Sequence, residues 1–109
     1  MELAPVAIFA YDRLDHLQKT VEALSRNDFA QHTDLFIFSD GPKSHNVPQV
    51  EDVRHYIQFI DGFRKITVIE RERNYGLSLN ITSGVDYVFT RHSKIIVLED
   101  DLVTSPGFL

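Results

Sequence analysis

Four short apolar runs recur along the chain, each separated from the next by a segment of helical periodicity. Val6-Ala7-Ile8-Phe9-Ala10 has the length and composition of a buried strand. Leu14, Leu17, Val21 and Leu24 follow at helical spacing, with Asp12 in position to cap the helix. Leu35-Phe36-Ile37-Phe38 is a second buried strand, closed by the turn sequence Ser39-Asp40-Gly41-Pro42. Val50, Val53, Ile57 and Ile60 mark a second helix, ended by Asp61-Gly62. The segment from Lys65 to Glu70 alternates and is β-branched at its centre, which predicts a third strand. After the turn Asn74-Tyr75-Gly76, the residues Leu77, Ile81, Val85, Val88 and Phe89 form a third helical stripe. Ile95-Ile96-Val97-Leu98 is a fourth strand and runs straight into Glu99-Asp100-Asp101. Strict alternation of strand and helix predicts an α/β fold: a Rossmann-like three-layer αβα arrangement with a mainly parallel four-stranded sheet and right-handed crossovers. Such a pattern sets the class of fold and leaves function open.

The 109 residues suffice for a single domain, residues 1–109. Its formal net charge of -5 argues against nucleic acid as a partner, because a phosphate backbone needs a basic face. A small phosphate-bearing ligand remains compatible if a cation supplies the positive charge. The chain has no cysteine, which excludes disulfides and thiolate metal sites. Its five histidines show no paired ligand spacing, so zinc is not expected. There is no bilayer-length apolar run, and Met1 to Pro5 lacks the form of a secretory signal, which makes the cytoplasm, or the cytoplasmic membrane surface, the default location. Ser105-Pro106 has the form of a helix start, yet only three residues follow. The expectation is a domain truncated after its acidic motif, with Phe108 and Leu109 available for self-association.

In an open α/β sheet, ligands bind beyond the carboxyl ends of the strands. Those ends carry Tyr11-Asp12-Arg13, Ser39-Asp40-Gly41, Glu70-Arg71 with Asn74 close behind, and Glu99-Asp100-Asp101. Three adjacent carboxylates repel one another and resist desolvation. A hard divalent cation compensates such a cluster, while a solvated acidic turn is the bland alternative. Asp40-Gly41 reads first as a common turn, with a carboxylate awaiting a base N–H as the functional alternative. Arg13 is either a surface residue of the first helical turn or a phosphate contact. Asn74 is either a left-handed turn residue or part of a ligand-covering segment. There is no G-x-G-x-x-G, no P-loop and no G-x-S-x-G elbow, which argues against nicotinamide dehydrogenases, P-loop enzymes and α/β-hydrolases.

Taken in order, Pro5 to Arg13, Phe38-Ser39-Asp40-Gly41, Asn74-Tyr75-Gly76-Leu77 and Val97 to Leu102 resemble glycosyltransferases of the GT-A fold. The likeness is nearest to bacterial sugar transferases related to the N-acetylglucosaminyltransferase that initiates complex N-glycans. The resemblance covers nearly the whole chain and implies a nucleotide-sugar-binding part of such an enzyme, with a UDP-sugar as donor and a glycan or other hydroxyl as acceptor. By that resemblance Ala10, Tyr11 and Asp12 lie beside the nucleoside, Arg13 approaches the diphosphate and Asp40 recognises uracil. The segment from Asn74 to Asn80 closes over the nucleotide. Asp101 is the direct ligand of Mn²⁺ or Mg²⁺, and Glu99 and Asp100 orient the ribose or the sugar. Catalytic bases of such enzymes follow the acidic motif, so no catalytic residue is identified here and this chain alone is expected to be inactive. Two readings compete: a metal-dependent nucleotidyltransferase fragment, and a non-catalytic α/β interaction module.

Overall fold

The structure is a computed structural model and describes residues 3–99. Strands β1 (Val6–Ala10), β2 (Asp34–Ser39), β3 (Lys65–Glu70) and β4 (Ile96–Glu99) form one sheet in the spatial order β3-β2-β1-β4, with every neighbouring pair parallel. A parallel neighbour cannot be reached by a tight turn, so each connection carries a helix across a face. These are α1 (Leu14–Ser25), α2 (Val47–Ile57) and α3 (Leu77–Phe89). The chain steps from β1 to β2 to β3, then passes back over both to reach the far side of β1. With one handedness of crossover, a reversal of direction demands a change of face. Accordingly α1 and α2 share one face, and α3 lies on the other.

The two-residue period of a strand divides its side chains between these layers. Val6, Ile8 and Ala10 of β1 and Leu35 and Ile37 of β2 meet Leu17, Val21, Leu24, Val53 and Ile57 from the helices. Ala7 and Phe9 of β1 and Phe36 and Phe38 of β2 meet Val88, with Ile81 and Val85 packed alongside. Central β1 is nowhere more than 3% exposed, as a strand covered on both faces must be. Fully buried leucines such as Leu17, Leu24 and Leu35 each stabilise the fold by about 1.5–3 kcal/mol. On the α3 side the Phe9 and Phe38 rings stack with centroids 5.1 Å apart, and Tyr87 meets Phe38 edge-on. Gly84 permits this packing. A Cβ there would lie 2.5 Å from the Phe9 ring and 3.0 Å from that of Phe38, so only glycine lets α3 settle at this depth.

The expected elements are present, with local differences that have physical causes. Asp12 does not cap α1; the N-cap is Arg13, without a side-chain hydrogen bond, and the Asp12 carboxylate instead accepts from Asn46 Nδ2 at 3.0 Å. Helix α2 ends at Ile57, before Ile60, which packs against the core from beyond the helix. In α3 the buried line is Asn80, Gly84 and Val88, whereas Leu77 and Phe89 are 58% and 49% exposed. The helix is therefore rotated from its apolar stripe, because a glycine and an asparagine occupy sheet-facing positions. Asn74 is not left-handed; among the described residues positive φ falls only on Gly62 and Gly76. Asp100, Asp101, the helix start expected at Ser105-Pro106, and Phe108 and Leu109 lie outside the described residues.

Candidate functional site

A cavity of about 300 Å³ opens beyond the carboxyl ends of β1 and β4. This is where the strand order turns back on itself: β2 follows β1 on one side, and β4 pairs with it on the other. The helix that leaves β1, α1, lies on one face and the helix that leads into β4, α3, on the other, so a crevice is left between the two connections. Ala10, Tyr11, Asp12, Arg13, Asp40, Asn74, Asn80 and Glu99 all line it, together with Phe9, Lys43, Gly76 and Leu77. The fold thus gathers into one space the expected site residues that fall within the described chain.

The β2 side of the cavity is held by an unusually committed aspartate. Asp40 is 4% exposed. Its Oδ1 accepts from the backbone N–H of Gly41 and of Tyr75, both at 2.8 Å. Its Oδ2 accepts from the Gly76 N–H at 3.1 Å and faces Asn74 Nδ2 at 3.4 Å. Gly76 is the N-cap of α3 and has no side chain to cap with. The carboxylate of Asp40, just past the end of β2, therefore supplies the negative charge that a helix start favours. Asn74 also donates to the Gly41 carbonyl at 2.9 Å. Asn80, 2% exposed, accepts from Arg71 Nε at 3.1 Å and donates to the Phe38 carbonyl at 3.3 Å. The backbones approach so closely that a Cβ on Gly41 would lie 2.4 Å from the Arg73 carbonyl carbon.

Arg54, reaching over from α2, ties the same strand ends together. Its Nε donates to Ser39 Oγ at 3.0 Å, and its Nη2 reaches the carbonyls of Ser39, Asp40 and Arg71 at 3.3, 3.2 and 2.8 Å. Those carbonyls stand where β2 and β3 stop pairing, and one guanidinium gathers all of them. The Arg71 guanidinium lies over the Tyr75 ring at 4.7 Å and over the Phe38 ring at 5.3 Å.

The β1 and β4 side differs. Ala10 contributes backbone, and its carbonyl accepts the Asp40 N–H at 2.9 Å. The Tyr11 hydroxyl is buried without a hydrogen-bond partner among the described residues. Arg13 and Lys43 bring two exposed cations to the cavity, and neither side chain pairs with another described residue. Asp12 is tied to Asn46, whose Oδ1 also accepts the Lys43 N–H at 2.8 Å, so Asn46 fixes this loop to the end of β1. Glu99, the last residue of β4, is exposed, and its carboxylate makes no hydrogen bond or ion pair with other described residues. No three histidine or acidic side chains converge on a metal position among the described residues. Within the acidic triplet only Glu99 is described, and its uncommitted oxygens suit a hard cation.

The glycosyl transferase family 2 profile matches residues 6–109, nearly the entire chain. The chain belongs to glycosyl transferase family 2. An Arabidopsis thaliana relative, alpha-1,3-mannosyl-glycoprotein 2-beta-N-acetylglucosaminyltransferase, is 29% identical over 120 aligned residues, which take in 99% of this chain and 26% of the relative. This family 2 segment thus spans about a quarter of the length of the curated relative it matches. Family membership places the chain among transferases and gives no support to the nucleotidyltransferase or interaction-module readings. Two further residues shape the site without a sequence signal: Lys43 lines the cavity and Arg54 holds the strand ends beneath it. Lys43 sits in a loop with no periodicity to mark it. Arg54 lies on a helix where a charged residue looks like solvent-facing surface, and its partners are mostly backbone carbonyls that no side-chain pattern announces.

Proposed function

We propose that this segment binds the nucleoside diphosphate part of a nucleotide-sugar, a UDP-sugar by preference, for glycosyl transfer to an acceptor hydroxyl. The observation that carries the reading is the crevice at the β1/β4 reversal, lined by Tyr11, Asp12, Arg13 and Glu99 on one side and by Asp40, Asn74 and Asn80 on the other. A diphosphate brought there meets the Arg13 guanidinium, whose planar donors suit phosphate oxygens. Lys43 adds a second positive charge at the same opening. Tyr11 lines the same opening. Asp101 would be the direct ligand of Mn²⁺ or Mg²⁺, with Glu99 and Asp100 orienting the ribose or the sugar. When bound, the cation neutralises charge on the departing diphosphate. The acceptor, the sugar and the catalytic base belong to the enzyme as a whole and are not assigned to residues of this segment.

The test is calorimetric titration and thermal unfolding with UDP, with and without Mn²⁺, for the parent chain and Asp101→Ala. Ligand at roughly a hundred times its dissociation constant adds about 2.7 kcal/mol of stability. In a domain of this size that raises the melting temperature by at least several degrees. The expected result is stabilisation that requires the metal and disappears in Asp101→Ala. Binding that ignores the metal would sink the cation's assigned part, and no binding by the folded chain would sink the donor-site reading for this segment.

A further inference from the structure

Asn46 stands at the N-cap of α2, yet its side chain makes no capping hydrogen bond. An asparagine there ordinarily turns its oxygen toward the N–H groups of the first helical turn. Here the residue is 3% exposed, and its amide bridges two residues of the cavity lining instead. Its Oδ1 accepts the Lys43 N–H at 2.8 Å. Its Nδ2 donates at 3.0 Å to Asp12 Oδ2, 34 residues earlier in the chain. One small neutral side chain thus joins the loop after β2 to the loop after β1.

The bridge matters because of the charges on either side of it. Asp12 brings a carboxylate to a cavity whose exposed cations are Arg13 and Lys43. The Lys43 ammonium rides on a long flexible stem, and its main chain is separated from the Asp12 carboxylate by a single amide. The carboxylate is therefore within the ammonium's reach, and a pair between them would cancel the charge that a phosphate needs. Among the described residues no such pair forms. The Asp12 carboxylate accepts from a neutral amide, and the Lys43 ammonium has no described partner.

We infer that Asn46 is a positioning residue for the donor diphosphate: its amide ties down the Asp12 carboxylate and keeps it from neutralising Lys43, so that the ammonium meets the phosphates. This inference rests on the nucleotide-binding reading, in which Lys43 brings positive charge to the cavity opening. A carboxylate released beside that ammonium competes with the incoming diphosphate, one anion against another, and affinity falls. Asn46 is absent from the cavity lining. It acts on the ligand through the two residues that it holds.

The experiment is a double-mutant cycle on UDP affinity, read by calorimetry with Mn²⁺: the parent chain, Asn46→Ala, Asp12→Asn, and the two together. With Asp12 present, Asn46→Ala is expected to weaken UDP about fivefold, a loss of the size of one exposed ion pair. In the Asp12→Asn background, where no carboxylate is left to compete, Asn46→Ala should cost nothing further. Equal losses in both backgrounds overturn the inference, since a merely structural tie between the loops is lost in both. So does an Asn46→Ala affinity equal to the parent's.

The same groups are followed by NMR without nucleotide. In the parent chain a through-hydrogen-bond coupling is expected from Asn46 Nδ2 to the Asp12 carboxyl carbon, and none from Lys43 Nζ. In Asn46→Ala the Lys43 coupling should appear. A Lys43 coupling in the parent, its absence in the variant, or no Asn46 coupling in the parent overturns the inference. Should Asn46→Ala fail to fold, Asn46→Ser replaces it in both measurements, because serine suits a helix start and is too short to hold both partners. If the parent chain binds no UDP, the donor-site reading fails, while the couplings still decide whether Asn46 keeps Asp12 from Lys43.

Discussion

On the β2 side of the cavity, Asp40, Asn74 and Asn80 direct their polar atoms into the protein: toward backbone N–H groups, toward carbonyls and toward Arg71. On the β1 and β4 side, Tyr11, Arg13, Lys43 and Glu99 keep theirs free of described partners. Both sides present polar residues at strand ends, and by sequence they look alike. The difference lies in what the chain has already done with each group. A buried donor or acceptor that is satisfied internally fixes shape, and removing its partner leaves the full desolvation cost. A group left uncommitted at a cavity contributes little to folding and is open to water or a ligand. The β2 side therefore sets the form of the crevice, and the β1 and β4 side supplies its contacts.

The largest effect is expected where the committed side is anchored. Arg54→Ala should lower the unfolding free energy in urea by about 3 kcal/mol, since hydrogen bonds from a charged donor to the strand-end carbonyls are lost together. A loss below about 1 kcal/mol would mean that water replaces the guanidinium without penalty, and the β2 side would be less rigid than described. A smaller and opposite pattern is expected across the cavity. Arg13→Ala should leave stability within about 0.5 kcal/mol of the parent, because the side chain is exposed and has no partner among the described residues. Its affinity for UDP, read by calorimetry, should fall about tenfold. Equal losses of stability in both variants would erase the distinction between the two sides.

The smallest effect belongs to the other end of the sheet. There Arg64 grips the Asp34 carboxylate with bonds of 2.7 and 2.8 Å. The hydrogen bond from Arg64 holds the Asp34 carboxyl below its ordinary value, against the opposing pull of partial burial. The folded state therefore prefers the ionised form. The stabilisation is fully present above the unfolded value of about 3.9 and is lost as pH falls through the lower folded value. Asp34→Asn should cost less than about 1 kcal/mol at neutral pH, as partly exposed ion pairs do. Unfolding curves of variant and parent should converge in acid. A gap that persists at acidic pH would show that the pair contributes by packing and not by charge.

Much of the fold could be read in advance, because strand and helix leave different periods in the sequence. The runs Val6 to Ala10 and Lys65 to Glu70 are strands at those same bounds. Leu17, Val21 and Leu24 face the sheet as their spacing predicts. Helix α3 departed from its stripe because Gly84 and Asn80 are selected by close approach and by hydrogen bonding, neither of which hydrophobic spacing records. The site was legible as a collection, since strand ends converge in any parallel sheet. The internal bonding of Asp40 was not, because its partners are main-chain N–H groups more than thirty residues away, and every residue type but proline carries one. Asp-Gly looks the same whether its carboxylate turns toward a ligand or toward the chain's own backbone.

The pairing of β1 has a consequence for the order of assembly. Val6 pairs with Leu35 on one side and with Ile96 on the other. Closing the second contact confines a far longer stretch of chain, and the entropy of closure grows with that length. During synthesis from the N-terminus, the β3-β2-β1 portion and the bonds from Tyr75 and Gly76 to Asp40 have all their residues before β4 has been made. The crevice is then a half-built groove with its β2 side in place, and Glu99 arrives with β4, the last of the described strands.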